Sequence, residues 1–176
     1  MEIRQITAET AADLKLKNDP FSMPGRMIPK LENGRWSYDV EWFDQAQEMR
    51  FPDEAYDIQA LDAEKTVVLG AYEDGACVGM VVLKQSFFKY MYIYDLKVCA
   101  PYRKQGIGRM LIERAKQEAR EQDYRGLYLQ AQDNNLIACL FYLNTGFEIG
   151  GFDNHVYNGT SQEGKADILF YTKGEE

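Results

Sequence analysis

The residues best suited to chemistry lie in one short stretch, Arg103-Lys104-Gln105-Gly106-Ile107-Gly108-Arg109. Arg103, Lys104 and Arg109 are cationic. Gly106 and Gly108 lack Cβ atoms, so a ligand can approach the main chain closely. If a helix begins here, its first N–H groups have no intrahelical partners and its dipole is positive at that end. Together these features suit a phosphate or pyrophosphate. A strand–glycine–helix turn also serves as a plain tight connection, and the residues alone leave both readings open. Two nucleotide fingerprints are excluded. Leu111 stands where the dinucleotide motif needs its third glycine, and no Lys-Ser/Thr pair follows, as a P-loop would require.

Other reactive side chains give weaker signals. Cys77, Cys99 and Cys139 are scattered and contain no C-x-x-C pair, which reads as reduced thiols in a cytosolic protein. His155 is the one histidine, so neither a Cys–His nucleophile nor a His-based zinc site is supported, and no metal is expected.

The basic turn has to be held by its neighbours. Residues 90–98 are rich in Tyr, Ile and Val, which suit a pleated, buried surface and predict a strand. Pro101 ends its ladder, because proline has no N–H to donate. Ile107, Leu111 and Ala115 then recur every four residues, with Arg114, Lys116, Gln117 and Arg120 between them. That spacing predicts an amphipathic helix starting near Gly108. Further strands are predicted at 66–72 and 77–85, joined by the hairpin signal Glu73-Asp74-Gly75, and at 126–131, 147–149 and 166–171. Residues 2–7 alternate weakly, as an edge strand would, and 8–17 carry helix formers with Leu14 and Leu16 on one side.

A second helix is expected from Asn134 and Asn135 to a stop at Gly146. On it Asn135, Ala138 and Tyr142 fall at i, i+3 and i+7 and share one face, a polar–small–hydroxyl stripe suited to something slender. Leu136, Leu140 and Leu143 form its expected core face. Residues 18–36 contain Pro20, Pro24 and Pro29 and are expected to be irregular but packed, as a substrate wall. Residues 38–64 are acidic and expected to be partly helical, broken near Pro52. Their carboxylates either face solvent or line a pocket for a polyamine-like acceptor, with Glu41 and Trp42 as candidate contacts. The loop 153–165 is polar, and the tail from 173 is expected to fray.

A chain of 176 residues suits one domain, and its 45% hydrophobic and 27% charged residues are ordinary values for a soluble protein. No apolar run approaches the roughly 20 residues that span a bilayer, and the N-terminus has no apolar signal core. A cytoplasmic protein without a membrane partner is expected. A net charge of −8 and a pI of about 4.8 argue against nucleic acid. They favour a cationic small molecule or a basic protein segment, although acidity also simply aids solubility.

The segment Arg103–Gly108 resembles the acyl-CoA loop of the GNAT N-acetyltransferases, Q/R-x-x-G-x-G/A. NLIACLFYLNTGF, residues 135–147, resembles the N-x-x-A-x-x-x-Y-x-x-x-G-F segment of the same family. The resemblance implies one α/β (α+β) domain over 1–176, with residues 90–147 as the acetyl-CoA-binding core and 18–64 on the acceptor side. Its central sheet would be twisted, mixed but largely antiparallel, of six to seven strands splayed between the fourth and fifth, with about four helices.

By the same resemblance the pantetheine arm pairs with Leu96, Lys97 and Val98. The diphosphate meets main-chain N–H groups of Arg103, Lys104, Gln105, Gly106, Ile107, Gly108 and Arg109. Asn135 and Ala138 lie along the cofactor, and Tyr142 sits beside the thioester sulfur as general acid. NDPFSMPGRMIPKLENGRW, YIYDLKV and QDNNLIACLFY are further similar to the streptothricin acetyltransferases, which acetylate the β-lysine moiety of a cationic antibiotic and confer resistance.

Acetyl transfer needs a neutral amine. A lysine-like amine is neutral only about once in 2500 at pH 7, a handicap of roughly 4.6 kcal/mol. Asp95 is the candidate base, and bonding neighbouring backbone is its equally weighted alternative. Tyr92 and Tyr94, placed on the other strand face, are candidate acceptor contacts. Direct attack of the amine on the thioester needs no acyl-enzyme. The expected protein is a monomer or homodimer. Its alternatives are a GNAT acting on an aminoglycoside, a polyamine or a protein N-terminus, and a CoA-binding module without turnover.

Overall fold

The computed structural model describes residues 1–86 and 88–173, so Phe87 and the end of the tail expected to fray lie outside the described residues. In chain order the strands and helices are β1 (Glu2–Gln5), β2 (Phe21–Glu32), β3 (Arg35–Met49), α1 (Ile58–Ala63), β4 (Val67–Glu73), β5 (Ala76–Lys84), β6 (Tyr90–Val98), α2 (Ile107–Glu121), β7 (Gly126–Gln132), α3 (Leu136–Asn144), β8 (Phe147–Asp153) and β9 (Asp167–Thr172). Short 3-10 segments occupy Ala8–Lys15 and Ala100–Tyr102. The fold is mixed α/β. The chain forms two compact units, one of Met1–Pro20 and Arg50–Leu127, the other of Phe21–Met49 and the residues from Tyr128 onward. The main sheet has seven strands, with β1-β4-β5-β6 in order in the first unit and β7-β9-β8 in the second.

In the first unit all the ladders are antiparallel. β4 and β5 read as nearly unbroken apolar runs because both faces are covered. On one face α2 buries Ile107, Leu111, Ile112, Ala115 and Ala119. On the other, Met80, Val82 and Val68 pack with Ile6, Leu14 and Leu61, and Tyr56 and Ile58 lean against that cluster. The expected helix over 8–17 is instead 3-10 and kinked at Thr10, where φ is −115°. Thr7 N–H donates to the Thr10 hydroxyl there, competing with regular helix. Asp57 caps α1 by accepting from Ala60 N at 2.9 Å. A clasp joins the two places where the chain leaves and re-enters this unit. Asn18 N–H donates to Asp53 Oδ1 and its side chain to Pro52 O, while Arg50 Nε donates to Asn18 O, each at 2.8 Å.

The second unit corrects the reading of residues 18–49. The stretch expected to be irregular is β2, and most of the expected acidic helix is β3; only Ile58–Ala63, beyond Pro52, is helical. Asn33 and Gly34, both left-handed at φ 51° and 73°, form the two-residue turn between them. That geometry matches the right-handed twist of the strands. The prolines do not break β2. Pro24 falls at a bulge between Met23 and Gly25. Met27 N–H points away from β3, to Asp133 O at 2.9 Å, so the N–H that Pro29 lacks also faces away and costs no ladder bond. A Cβ on Gly25 would come within 2.3 Å of Glu41 O, so only glycine lets these two backbones approach.

β2 buries Met23 and Met27 and packs against α3. The buried positions of α3 are Leu136 and Cys139, while Leu140 and Leu143 are half-buried. Phe147, Ile149, Ile168 and Phe170 complete this core.

Leu111 is fully buried where α2 meets the sheet, with Cδ1 3.4 Å from a Cβ built on Gly79. Leu111→Ala is expected to cost about 2–5 kcal/mol of stability, read as a lower urea midpoint at unchanged slope.

Candidate active site

The basic turn opens α2 as the sequence predicts. Lys104 and Gly106 are left-handed, at φ 62° and 84°, and Ile107 starts the helix. A left-handed residue followed by a right-handed one turns successive N–H groups toward one concavity. The first intrahelical bond runs from Met110 N to Gly106 O at 3.0 Å, so the amides of Ile107 and Gly108 precede it. A Cβ at Gly106 would meet nothing within 4 Å, leaving the outer side of the turn open. These residues fit a diphosphate by shape and charge.

Arg103 has a different place from the one its charge suggests. Its guanidinium donates to Val98 O at 3.0 Å, Pro20 O at 2.7 Å and Asp19 O at 3.3 Å. Asp19 in turn accepts from Ala100 N at 2.7 Å, and Gln105 donates to Pro101 O at 3.0 Å. Arg103 thus braces the turn from behind, while Lys104 and Arg109 are exposed beside it.

The second feature lies on β6. Lys84 pairs with Tyr92, Val82 with Asp95 and Met80 with Lys97. Alternate residues of β5 share a face, so Tyr92, Asp95 and Lys97 share one too. Between Val82 and Leu83 the register shifts, placing Tyr94 as an extra residue on β6. The bulge removes the separation expected between Asp95 and the tyrosines. Tyr92 and Tyr94 rings stand edge-on at 6.2 Å, and Tyr94 and Tyr56 at 6.4 Å. This is the face opposite α2.

Ion pairs and hydrogen bonds organise that face. Tyr56 Oη donates to Asp95 Oδ2 at 2.9 Å, and Lys97 Nζ lies 3.3 Å from the same oxygen. Tyr94 Oη donates to Glu54 Oε1 at 3.2 Å. Lys84 Nζ sits 4.1 Å from the Tyr94 ring centroid and 3.7 Å from a Glu64 oxygen. Burial first, and then Asp95, push the Tyr56 phenol far above the usual tyrosine range. Burial and Glu54 raise Tyr94 as well. Both phenols therefore stay protonated and act as donors. The Lys97 side chain is only 7% exposed, so its charge depends on Asp95 for compensation.

Elsewhere the acidic stretch is largely committed to partners. Asp39 pairs with Lys30, Glu41 with Arg26 at 2.9 Å, and Asp53 with Arg50 at 3.0 Å. Trp42 is exposed on β3, next to Glu41. In the second unit Asn135 caps α3, Ala138 is half-buried, and the Tyr142 ring contacts Phe141, Phe147 and Phe170 at 5.4–5.7 Å. The polar loop before β9 is tied by Tyr157, which donates to Asp167 at 2.7 Å and receives Gln132 at 3.1 Å.

Tyr56 has no role in the site read from the sequence, and Glu54 enters it only as one carboxylate of the acidic stretch 38–64. Tyr56 lies 39 positions before Asp95 with no motif linking them. Its nearest sequence cue is the Asp57 cap that follows.

Residues 31–147 match the family model for the acetyltransferase (GNAT) family. The chain is 32% identical to streptothricin acetyltransferase A of Bacillus subtilis (strain 168) over 97% of its length and 99% of that protein's. A candidate streptothricin acetyltransferase from Bacillus anthracis str. Ames, crystallised with acetyl coenzyme A, superposes with a TM-score of 0.88 at 31% identity, covering 99% of this chain and 98% of that one. The nourseothricin acetyltransferase structure, at 23% identity and TM-score 0.81 over 99% of this chain and 98% of that one, shares the fold.

No thiol is poised as a nucleophile. Burial pushes Cys77 up to about 11 and Cys139 up to about 12, and it raises Cys99 as well. Iodoacetamide is expected to label native Cys77 about 100-fold more slowly than a free thiol at pH 8, because two units of pKa remove that much thiolate. Peptide mapping of the labelled native protein against pH checks this, with labelling rising steeply only under alkaline conditions.

Proposed function

Because this chain belongs to the acetyltransferase (GNAT) family, we propose that it transfers an acetyl group from acetyl-CoA to an amine of streptothricin, at the β-lysine moiety, and so inactivates the antibiotic. The likeness to streptothricin acetyltransferase A along 97% of the chain supports the acceptor. The observation that carries the chemistry is the bulge at Tyr94, which gathers tyrosine rings and the Asp95 carboxylate on one face of β6. Aromatic faces and a carboxylate attract an ammonium group, and Lys84 already sits over Tyr94 in this way.

Acetyl-CoA supplies an activated thioester. The main-chain N–H groups at Ile107 and Gly108, with Lys104 and Arg109 beside them, would hold its diphosphate. Leu96, Lys97 and Val98 would pair with the pantetheine, and Asn135 and Ala138 would flank it. Asp95 accepts a proton from the amine nitrogen as the C–N bond forms, when that nitrogen becomes strongly acidic. Tyr142 gives its proton to the departing CoA thiolate as the C–S bond breaks. The elevated thiols leave direct attack as the simplest route.

Purified protein with acetyl-CoA and streptothricin should add one acetyl group to the drug by mass spectrometry. An unmodified drug after exhaustive incubation would sink the acceptor assignment. Asp95→Asn is expected to lower kcat by about 10²–10⁴-fold with acetyl-CoA affinity unchanged, as for loss of a general base. Gly106→Val forces a β-branched residue into a left-handed conformation and should raise the Kd for acetyl-CoA about tenfold or more by calorimetry.

A further inference from the structure

The Asp95 carboxylate is engaged on one side. Tyr56 Oη and Lys97 Nζ both meet Oδ2, at 2.9 and 3.3 Å. Among the described residues no hydrogen bond reaches Oδ1. Tyr56 touches both members of the buried pair, since Lys97 Nζ also lies 5.8 Å from its ring centroid. The ring is itself fixed, leaning on the core cluster of Leu61, Met80 and Val82 and standing edge-on to Tyr94. One hydrogen bond from a rigid support and one ion pair, both on Oδ2, hold the carboxylate against rotation about its terminal bond.

We propose that Tyr56 is a positioning residue for the acetyl transfer, holding Oδ2 of Asp95 so that Oδ1 is the oxygen offered to the acceptor amine. The proposal rests on the reading of Asp95 as proton acceptor. The proton leaves the amine nitrogen for Oδ1 as the C–N bond forms, and Tyr56 keeps its own throughout. The remaining groups on this face are Tyr92, Tyr94 and its partner Glu54, the last two of which also raise Tyr56, and Lys84 over the Tyr94 ring. Of these, Tyr94 donates to Glu54 and Lys84 pairs with Glu64.

The test compares Tyr56→Phe with Asp95→Asn, using acetyl-CoA and streptothricin as substrates. Steady-state kinetics separates kcat from KM, calorimetry follows acetyl-CoA binding, and the melting temperature follows stability. Tyr56→Phe is expected to bind acetyl-CoA as the parent does. Its kcat should fall roughly 10- to 100-fold, the worth of one hydrogen bond to a charged group. Its KM for acetyl-CoA should stay in place, because the lost bond orients the Asp95 carboxylate and holds no cofactor. A purely structural tyrosine would lower the melting temperature and leave kcat of the folded enzyme in place. Unchanged kcat in folded Tyr56→Phe, with Asp95→Asn inactive, would overturn this proposal alone. Wild-type kcat in Asp95→Asn would overturn the role of Asp95, and this proposal with it. Should Tyr56→Phe fail to fold, 3,5-difluorotyrosine at position 56 keeps the shape and donates more strongly. Its kcat must then change while acetyl-CoA binding holds, and an unchanged kcat would overturn the proposal.

Discussion

Between Val82 and Leu83, β5 advances one residue while β6 advances two. Strict alternation would set Tyr92 and Tyr94 on one side of the sheet and Asp95 on the other. The extra residue turns Asp95 and Lys97 to the side of Tyr92, where Tyr56 arrives from the segment before α1. The side opposite is already filled by α2, so no carboxylate could be accommodated there without losing core. Placing Asp95 and Lys97 in a poorly hydrated position is costly for each alone and tolerable only for the pair with further hydrogen bonds. Tyr56 supplies one such bond. A largely buried pair of this kind contributes orientation of the carboxylate more than stability.

The basic turn before α2 rests on a separate division of labour. α2 is held by its buried stripe, and the turn is braced by Arg103 against three carbonyls. A guanidinium with five donors in a plane suits several carbonyls at once better than an ammonium would. Arg103 is engaged behind the loop, and Lys104 and Arg109 stand exposed beside it. The main-chain amides there are fixed in direction and would need no side-chain ordering to meet an anion.

Legibility in the sequence followed how local the cause was. β4, β5, β6 and α2 could be read because their apolar spacing and the Asp74-Gly75 turn act within a few residues. The hairpin of β2 and β3 could not, because Pro20, Pro24 and Pro29 argue against strand when counted by type. What mattered was which way each missing N–H would point, and that depends on a partner strand. The Asn33-Gly34 dipeptide was the available signal, and it marks the turn where it lies. The bulge at Tyr94 has no composition of its own. The contacts of Tyr56 and Glu54 with β6 span about forty residues and arise only once the sheet is assembled. The motif glycines were legible, whereas the bracing role of Arg103 depended on the distant Asp19 and Pro20.

The clasp of Asn18, Arg50, Pro52 and Asp53 has a bearing on how such proteins diversify. It brings the two ends of a long excursion together using only groups outside that excursion. Once those ends are fastened, lengthening or recasting the intervening polypeptide changes the closure entropy only logarithmically. The excursion is therefore free to drift in sequence and size, like a cassette on a fixed mount, while the strands of the first unit keep their register.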